Sequence, residues 1–132
     1  MADSNGTLVW NTVAPMLTKR YTHDVVPLDG KLYLVGGAKW NTAGTVMSRY
    51  DSVERYDPAA NTWTNVVAST SLKRGGVALT ALRGKLYAIG GQDGNSVYSS
   101  VEIYDPSTDT WSGGQSSKVR FSCLRRGGSG PW

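Results

Sequence analysis

The chain contains an internal repeat, in which two segments have nearly the same sequence. Residues 30–37 read GKLYLVGG and residues 84–91 read GKLYAIGG. Each copy is followed by Val-Glu-X-Tyr-Asp-Pro and then, five residues after the proline, by a tryptophan, Trp63 or Trp111. Because so many residue types agree in order, the repeat is the strongest constraint on the fold of the chain.

The period of the repeat indicates the kind of architecture. The tryptophans Trp10, Trp63 and Trp111 lie 53 and 48 residues apart, close to the roughly 40–50 residues of a propeller blade. Helical solenoids have similar periods. The segments here alternate in polarity, are rich in β-branched and aromatic residues and are broken by Gly, Asp and Pro, which favours strands.

Each copy is predicted to form four strands. The first follows a basic pair and ends at a tight turn, Asp29-Gly30 or Arg83-Gly84. The second is an apolar run that ends at the double glycine, and the third stops at Asp-Pro, since proline cannot donate to a ladder. The fourth carries the tryptophan, whose ring covers the gap between neighbouring blades. The second and third strands are predicted at 31–35 and 52–56 in the first copy, and at 85–89 and 100–104 in the second.

The double glycine, the Val-Glu-X-Tyr-Asp-Pro segment and the spaced tryptophan resemble kelch motifs, from about Trp10 to Trp111. The resemblance implies blades of a β-propeller, each a four-stranded antiparallel sheet packed face to face around a central channel. The residue pattern of the motif is most similar to that of the kelch-like adaptors, which present substrates to cullin-type ubiquitin ligases.

Two blades are fewer than the about four to eight that close a propeller. The predicted fold is therefore all-β, an incomplete kelch β-propeller with two four-stranded antiparallel blades plus a leading strand, around residues 8–11, from a preceding blade. Either several chains complete one ring or the chain is a fragment, and the tail favours the fragment. The predicted divisions are a leading outer strand and linker at 1–17, blade 1 at 18–67, blade 2 at 68–114, and a truncated, basic, glycine-rich tail at 115–132.

An open stack of two blades leaves apolar sheet faces without a neighbour. We expect such faces around Val35, Ile89, Trp63 and Trp111, and therefore a marginally stable, oligomeric or aggregation-prone chain. Other kelch blades, in cis or in trans, are accordingly expected partners. The glycines Gly36 and Gly90 should tolerate no larger residue.

Charge argues against a nucleic-acid partner. Residues 1–111 hold ten basic and ten acidic residues, so the whole net charge of +4 comes from the tail. A single cysteine excludes an internal disulfide framework. The chain has neither an apolar signal segment nor a run long enough to span a membrane, so we expect a cytoplasmic protein without a membrane partner.

Catalytic chemistry has little support in the sequence. His23 is the only histidine, so a metal site of several histidines cannot form. We expect His23 to lie on a strand near a loop. Cys123 has no histidine near it in sequence. Asp57 and Asp105 stand before prolines at matched repeat positions, where they are expected to cap turns. We predict neither an enzyme nor a bound cofactor or metal.

Protein binding fits the pattern better, because propeller loops from successive blades converge on one face. Arg20 and Arg74 begin the inner strands, and the resemblance implies that basic and polar residues at the loop mouths contact acidic peptides. An arginine fork pairs well with carboxylates; alternatively, both arginines cap strand ends or pair with acids of the repeat. The enlarged loop 38–50 adds Trp40, the kind of exposed aromatic found at interfaces. The predicted partner-binding residues are Arg20, Arg74, Trp40, Asn41, Arg49, Asp93 and Asn95.

The sequence thus predicts a protein-interaction module that forms part of a substrate receptor for a cullin-type ubiquitin ligase, with a protein or acidic peptide as ligand. Two alternatives stay open, an actin-binding kelch scaffold and a blade pair of a sugar-processing propeller enzyme. Fold alone does not decide between them.

Overall fold

The computed structural model describes Ala2, residues 4–66 and residues 68–115. The strands of this part of the chain are β1 Asp24–Leu28, β2 Lys31–Val35, β3 Ala38–Trp40, β4 Met47–Arg49, β5 Val53–Asp57, β6 Thr62–Asn65, β7 Ala78–Leu82, β8 Lys85–Ile89, β9 Val101–Asp105 and β10 Thr110–Gly113.

The strands form two four-stranded antiparallel sheets, each made by one copy of the repeat. Blade 1 has the order β1-β2-β5-β6 and blade 2 the order β7-β8-β9-β10. The all-β, open-propeller prediction is confirmed: the second strands coincide with the predicted ranges, and the third strands begin one residue later. Asp29 and Gly30 both have positive φ, as do Arg83 and Gly84, which a two-residue hairpin turn of type I′ requires.

The enlarged loop of the first copy forms regular structure that its sequence did not predict. Strands β3 and β4 pair as an antiparallel hairpin, with Ala38 opposite Arg49 and Trp40 opposite Met47. Tyr21 adds a bridge to Ala38 on the other side. In the second copy, the corresponding segment makes only isolated bridges, at Gln92 with Gly75 and with Val97.

The hydrophobic core lies between the two blades. Tyr33 of blade 1 packs on Tyr104 of blade 2 with ring centroids 5.9 Å apart. The carboxylate of Asp24 on β1 accepts the backbone N–H of Leu79 on β7 at 2.8 Å. The two sheets therefore stack face to face as one packed unit. The buried cluster consists of Leu28, Tyr33, Val35, Val53, Val77, Leu79, Leu86, Ala88 and Tyr104.

The stacking corrects part of the predicted exposure. Val35 is fully buried because blade 2 covers its side of blade 1, so the expectation of an exposed Val35 was wrong. Ile89, at the matching position of blade 2, is half-buried. Trp63 and Trp111 are half-buried, and their indole N–H groups donate to the backbone oxygens of Ala14 and Ala68. Each tryptophan thus ties an outer strand to the segment that precedes its own blade.

The expected leading strand, around residues 8–11, belongs to none of the sheets formed by the described residues. Leu8 makes a single antiparallel bridge to Ala2, and Trp10 is fully exposed. A strand needs a neighbour to pair its backbone groups, and the two described four-stranded sheets do not include this segment. The expectations for the tail, including Cys123, concern residues outside the described ones.

Candidate functional site

Arg20 lies inside blade 1, where its guanidinium is held from three sides. It forms a 2.6 Å ion pair with Glu54, and both side chains are 0% exposed. It also donates to the backbone oxygen of Gly36 at 2.8 Å and to the hydroxyl of Ser52 at 3.0 Å. The ring of Tyr50 lies 4.8 Å from its Cζ.

Arg74 repeats this arrangement in blade 2. Its guanidinium forms an ion pair with Glu102 at 2.8 Å. It also donates to the backbone oxygen of Gly90 at 2.5 Å and to the hydroxyl of Ser100 at 2.9 Å. The ring of Tyr98 lies 5.4 Å from its Cζ. The same contacts at matched positions show that the Arg-Glu pair belongs to the repeat itself.

These contacts correct the prediction that Arg20 and Arg74 face a partner at the loop mouths. Both side chains are buried and paired with acids of the repeat, which is the alternative that the sequence left open. The physical reason is the cost of desolvation, since a buried charge needs an opposite charge and further hydrogen bonds around it. Glu54 and Glu102 supply the opposite charges, and the backbone carbonyls at the double glycines accept the further hydrogen bonds.

Trp40 lies at the end of β3 and is 49% exposed. It borders an open cavity of about 430 Å³, which is lined by Lys19, Arg20, Tyr21, Lys39, Trp40 and Thr42. Lys19 and Lys39 are exposed, so the cavity combines an aromatic ring with two exposed cations. Sequence reasoning missed both lysines, although Lys19 has a repeat counterpart in Lys73.

Asn41 closes the turn of the hairpin. Its side-chain oxygen accepts the backbone N–H groups of Thr45 and Val46 at 2.8 and 3.2 Å. Asp93 does the same work in blade 2, accepting the N–H groups of Asn95 and Ser96 at 2.8 Å each. These hydrogen bonds are the main reason why the pKa of Asp93 lies below its ordinary value. Both side chains therefore shape their loops.

Arg49 connects the loops of the two blades. A Cβ atom added to Gly94 would lie 2.6 Å from Arg49 Nη1, and one added to Gly75 would lie 3.2 Å from Arg49 Cγ. The hairpin of blade 1 and the loop around Asp93 and Asn95 in blade 2 therefore meet at one end of the unit. Arg49 Nε is buried without a hydrogen-bond partner among the described residues.

His23 directly precedes β1 and lies against Gly37, whose added Cβ would be 3.0 Å from His23 Cβ. Burial and then the charge of Arg20 hold the pKa of His23 below its ordinary value. Its Nδ1 atom is buried without a partner among the described residues. The folded chain thus binds a proton at this imidazole less tightly than the unfolded chain does.

Stability should therefore fall as the pH drops through the ordinary histidine pKa of about 6.5, because protonation there favours the unfolded state. We expect His23→Gln to reduce the difference in unfolding free energy between pH 7.5 and 5.5. Urea titrations of both proteins at the two pH values measure it. Equal differences in both proteins would contradict this account of the imidazole.

Asp57 and Asp105 cap turns, as predicted. Asp57 accepts the N–H of Ala59 at 3.0 Å, and Asp105 accepts the N–H of Ser107 at 2.9 Å. Lys31 and Ser107 respectively contribute most to the lowered pKa of these two carboxyls.

No group of three or more His, Cys, Asp or Glu side chains in the described ranges could hold a metal ion. None of the described segments forms a helix long and apolar enough to cross a membrane.

The chain matches known proteins over most of the two blades. The family model for the kelch motif matches residues 19–68 and 73–118. Kelch-like protein 9 of Mus musculus is 42% identical over 84 residues, covering 63% of this chain and 13% of that protein. Kelch-like protein 13 of Homo sapiens is 41% identical over 85 residues, 64% of this chain and 12% of that protein. Kelch-like protein 28 of Homo sapiens is 36% identical over 89 residues, 66% of this chain and 15% of that protein.

A solved structure supports the fold independently. The structure titled "Structure of YjhT" superposes with a TM-score of 0.74 at 21% identity, covering 83% of this chain and 42% of that one. At that identity the likeness shows the fold alone. The matches to the curated relatives span only 12–15% of their length. Given the matched motifs and the blade geometry, this chain belongs to the kelch-repeat family.

Proposed function

We propose that the chain is a protein-interaction module and forms part of a substrate receptor for a cullin-type ubiquitin ligase. Its membership of the kelch family and its likeness to the Kelch-like proteins support the first statement. The ligase role rests on the resemblance to the kelch-like adaptors. Because the matches span a small share of the relatives' length, cullin recruitment requires segments other than these two blades. The expected compartment is the cytoplasm.

The observation that carries the binding role is the open cavity beside Trp40. Exposed tryptophans contribute large contact areas at interfaces, and cations next to them orient an acidic ligand. Lys19 and Lys39 flank the ring on two different segments of blade 1. We therefore place the first contact of an acidic protein partner here, with Trp40 packing on apolar side chains and the lysines pairing with carboxylates.

The other predicted residues either support the loops or extend the contact surface. Arg20 and Arg74 stabilise the strand ends beneath the loops and do not contact the partner. Arg49, Asp93 and Asn95 lie at the junction of the two blades and extend the contact surface, while Asn41 holds the turn that presents Trp40.

Binding can be measured with an acidic probe peptide. We expect Trp40→Ala to weaken binding of a capped hexaglutamate peptide about tenfold or more, the range of an interface hot spot. Lys39→Ala should weaken it less, and its effect should shrink at high salt, since exposed charges are screened over about 8 Å at physiological ionic strength. Isothermal calorimetry at low and high salt provides the affinities.

Lys85→Ala is the matched control, because Lys85 lies beside the Arg83-Gly84 turn, away from the hairpin, and pairs with Asp105. Its affinity should equal that of the unmodified chain. A hexaglutamine peptide of the same length controls for charge. If Trp40→Ala and Lys39→Ala both bind as tightly as Lys85→Ala, the cavity is not the binding site.

The ligase role needs its own test in cells. A photoreactive amino acid at position 42 of the full-length protein, where Thr42 lines the cavity, should crosslink a partner protein, whose ubiquitination should fall when cullin activation is blocked. Unchanged ubiquitination of that partner would contradict the receptor role while leaving the binding site intact. If the crosslinked protein is actin, the scaffold alternative replaces the receptor.

A further inference from the structure

The cavity beside Trp40 carries positive charge that its own walls do not balance. Lys19 and Lys39 line it together with Arg20, and no acidic side chain is among the described residues that form its walls. The ion pairs among the described residues involve neither lysine. The charge of Arg20, by contrast, is balanced by Glu54 at 2.6 Å. The cavity therefore presents two cations, enough for an anion with two negative charges.

The lysines and the indole ring are held on two neighbouring segments. Tyr21 and Ala38 form an antiparallel bridge, in which the N–H of each donates to the carbonyl of the other at 2.9 and 2.8 Å. Lys19 lies two residues before Tyr21. Trp40 lies two residues after Ala38, which is the same side of an antiparallel bridge. The backbone beneath both side chains is thus fixed before a ligand arrives, which lowers the cost of binding.

This combination belongs to blade 1 and not to the repeat. Counted from the double glycine, Lys39 corresponds to Asp93 in blade 2, so the charge at this position is reversed. Trp40 corresponds to Gly94, which has no side chain. Residues that stabilise a blade recur in both copies, as the Arg-Glu pairs do, so binding explains Lys39 and Trp40 better than stability does. A cavity of about 390 Å³ beside the corresponding loop of blade 2 is lined by uncharged residues only, Leu72, Ser96, Val97, Tyr98, Ser99 and Ser100.

The chemistry of the two cations favours a phosphate group. A carboxylate is bound best by the planar fork of an arginine, and the fork of Arg20 already donates to Glu54 and to the carbonyl of Gly36. A lysine is a compact point charge that does not require this planar geometry. A phosphate ester carries a charge of about −1.5 to −2 at neutral pH and offers three acceptor oxygens. Two lysines therefore match one phosphate group.

Trp40 adds an aromatic surface to the same cavity. Its side chain is half exposed, and the cavity of about 430 Å³ lies within the range of roughly 300–1,000 Å³ of sites that hold small organic groups. Aromatic rings pack favourably on each other in offset or edge-to-face arrangements. A side chain that carries a phosphate on an aromatic ring uses both features at once, and phosphotyrosine is such a side chain.

We propose that the cavity beside Trp40 binds a phosphotyrosine side chain of a partner protein, with the phosphate between Lys19 and Lys39 and the ring against Trp40. The inference rests on the proposed function, because it names the acidic group that this cavity selects. Recognition then depends on the phosphorylation state of the partner, and glutamate-rich segments are weaker ligands of the same lysines.

Isothermal calorimetry with capped pentapeptides tests the assignment. A peptide with phosphotyrosine between two pairs of glycines should bind this chain at least about tenfold more tightly than the same peptide with tyrosine. In the double variant Lys19→Ala/Lys39→Ala, this preference should nearly vanish. Lys73→Ala is the matched control, since Lys73 is the exposed counterpart of Lys19 in blade 2, and it should keep the full preference. Circular dichroism checks that the variants remain folded.

A change of pH tests the charge of the phosphate. Its second pKa is about 6, so most of the phosphate carries a single negative charge at pH 5.5. A sulfotyrosine peptide keeps one negative charge throughout and serves as the reference. The preference for phosphotyrosine over sulfotyrosine should therefore fall between pH 7.5 and pH 5.5. Protonation of His23 or of other protein groups affects both peptides, so the ratio of their affinities isolates the phosphate.

Equal binding of the phosphotyrosine and tyrosine peptides would overturn the proposal. Equal binding of a phosphoserine peptide or of inorganic phosphate would also overturn it, because neither has a ring to pack on Trp40. A preference over sulfotyrosine that does not change with pH would contradict the match of two lysines to two charges. These failures are distinct from a failure of the proposed function, which requires that the hexaglutamate peptide no longer depends on Trp40 and Lys39.

Discussion

Arg74→Ala is expected to lower the free energy of unfolding by about 3–5 kcal/mol, the usual cost of removing one partner from a buried ion pair. The buried carboxylate of Glu102 would lose its ion-pair partner, and the carbonyl of Gly90 would lose its 2.5 Å hydrogen bond. The guanidinium also donates to Ser100 Oγ. The loss therefore combines an unpaired charge with unsatisfied oxygens, each of which is costly when buried.

Urea denaturation followed by tryptophan fluorescence measures this effect. Lys73→Ala is the matched control, since it removes a cation from the exposed neighbouring residue and should change stability by less than about 0.5 kcal/mol. If Arg74→Ala does not fold, the double variant Arg74→Met/Glu102→Leu should restore a measurable transition, because it leaves no buried charge. Equal stabilities of Arg74→Ala and Lys73→Ala would contradict the structural role.

Gly36→Ala should be the second severe substitution, with a loss of about 3 kcal/mol. Gly36 has a φ of +68°, which costs a residue with a Cβ roughly 1–2 kcal/mol. In addition, a Cβ at this position would collide with the backbone oxygen of Arg74 in blade 2. Separating the blades to relieve that contact adds about 1–3 kcal/mol.

Gly30→Ala separates the two contributions. Gly30 has a similar φ of +73°, but nothing lies within 4 Å of an added Cβ, so only the conformational cost applies there. Both variants are compared by urea titration with the unmodified chain. If Gly36→Ala costs no more than Gly30→Ala, the close approach of the blades at Gly36 does not restrict its side chain. The same substitution at Gly90, with a φ of +68°, should cost at least about 1 kcal/mol.

The strands of the blades could be predicted from sequence because several local signals agree. Apolar runs, β-branched residues, turn residues with positive φ and the Asp-Pro stops all mark the same boundaries, twice over. Agreement between local signals and the global fold is what makes such a prediction reliable. The hairpin at β3 and β4 lacks this support, since Lys39 and Ser48 face each other without a repeated apolar pattern.

The position of the arginines could not be decided in the same way. Lys19-Arg20 and Lys73-Arg74 each place two cations next to each other, and composition does not reveal which one turns inward. The structure buries the arginine and exposes the lysine in both copies. The planar guanidinium can serve a carboxylate and several carbonyls at once, so it takes the inner position. The exposed Lys19 lines the cavity beside Trp40, whereas the sequence had pointed to its neighbour Arg20 as the partner-binding residue.

The indole contacts of Trp63 and Trp111 affect the order in which the chain assembles during synthesis. Trp63 and Ala14 are 49 residues apart in sequence, and Trp111 and Ala68 are 43 apart. The hydrogen bond that fixes the start of each blade therefore cannot form until its last strand has left the ribosome. Until then, the segment that precedes the nascent blade lacks its hydrogen bond to the tryptophan, and the sheet lacks its fourth strand. Such contacts between distant residues slow folding. Translation speed near the codons for residues 63 and 111 should therefore affect the yield of folded chain more than translation speed near the early turns.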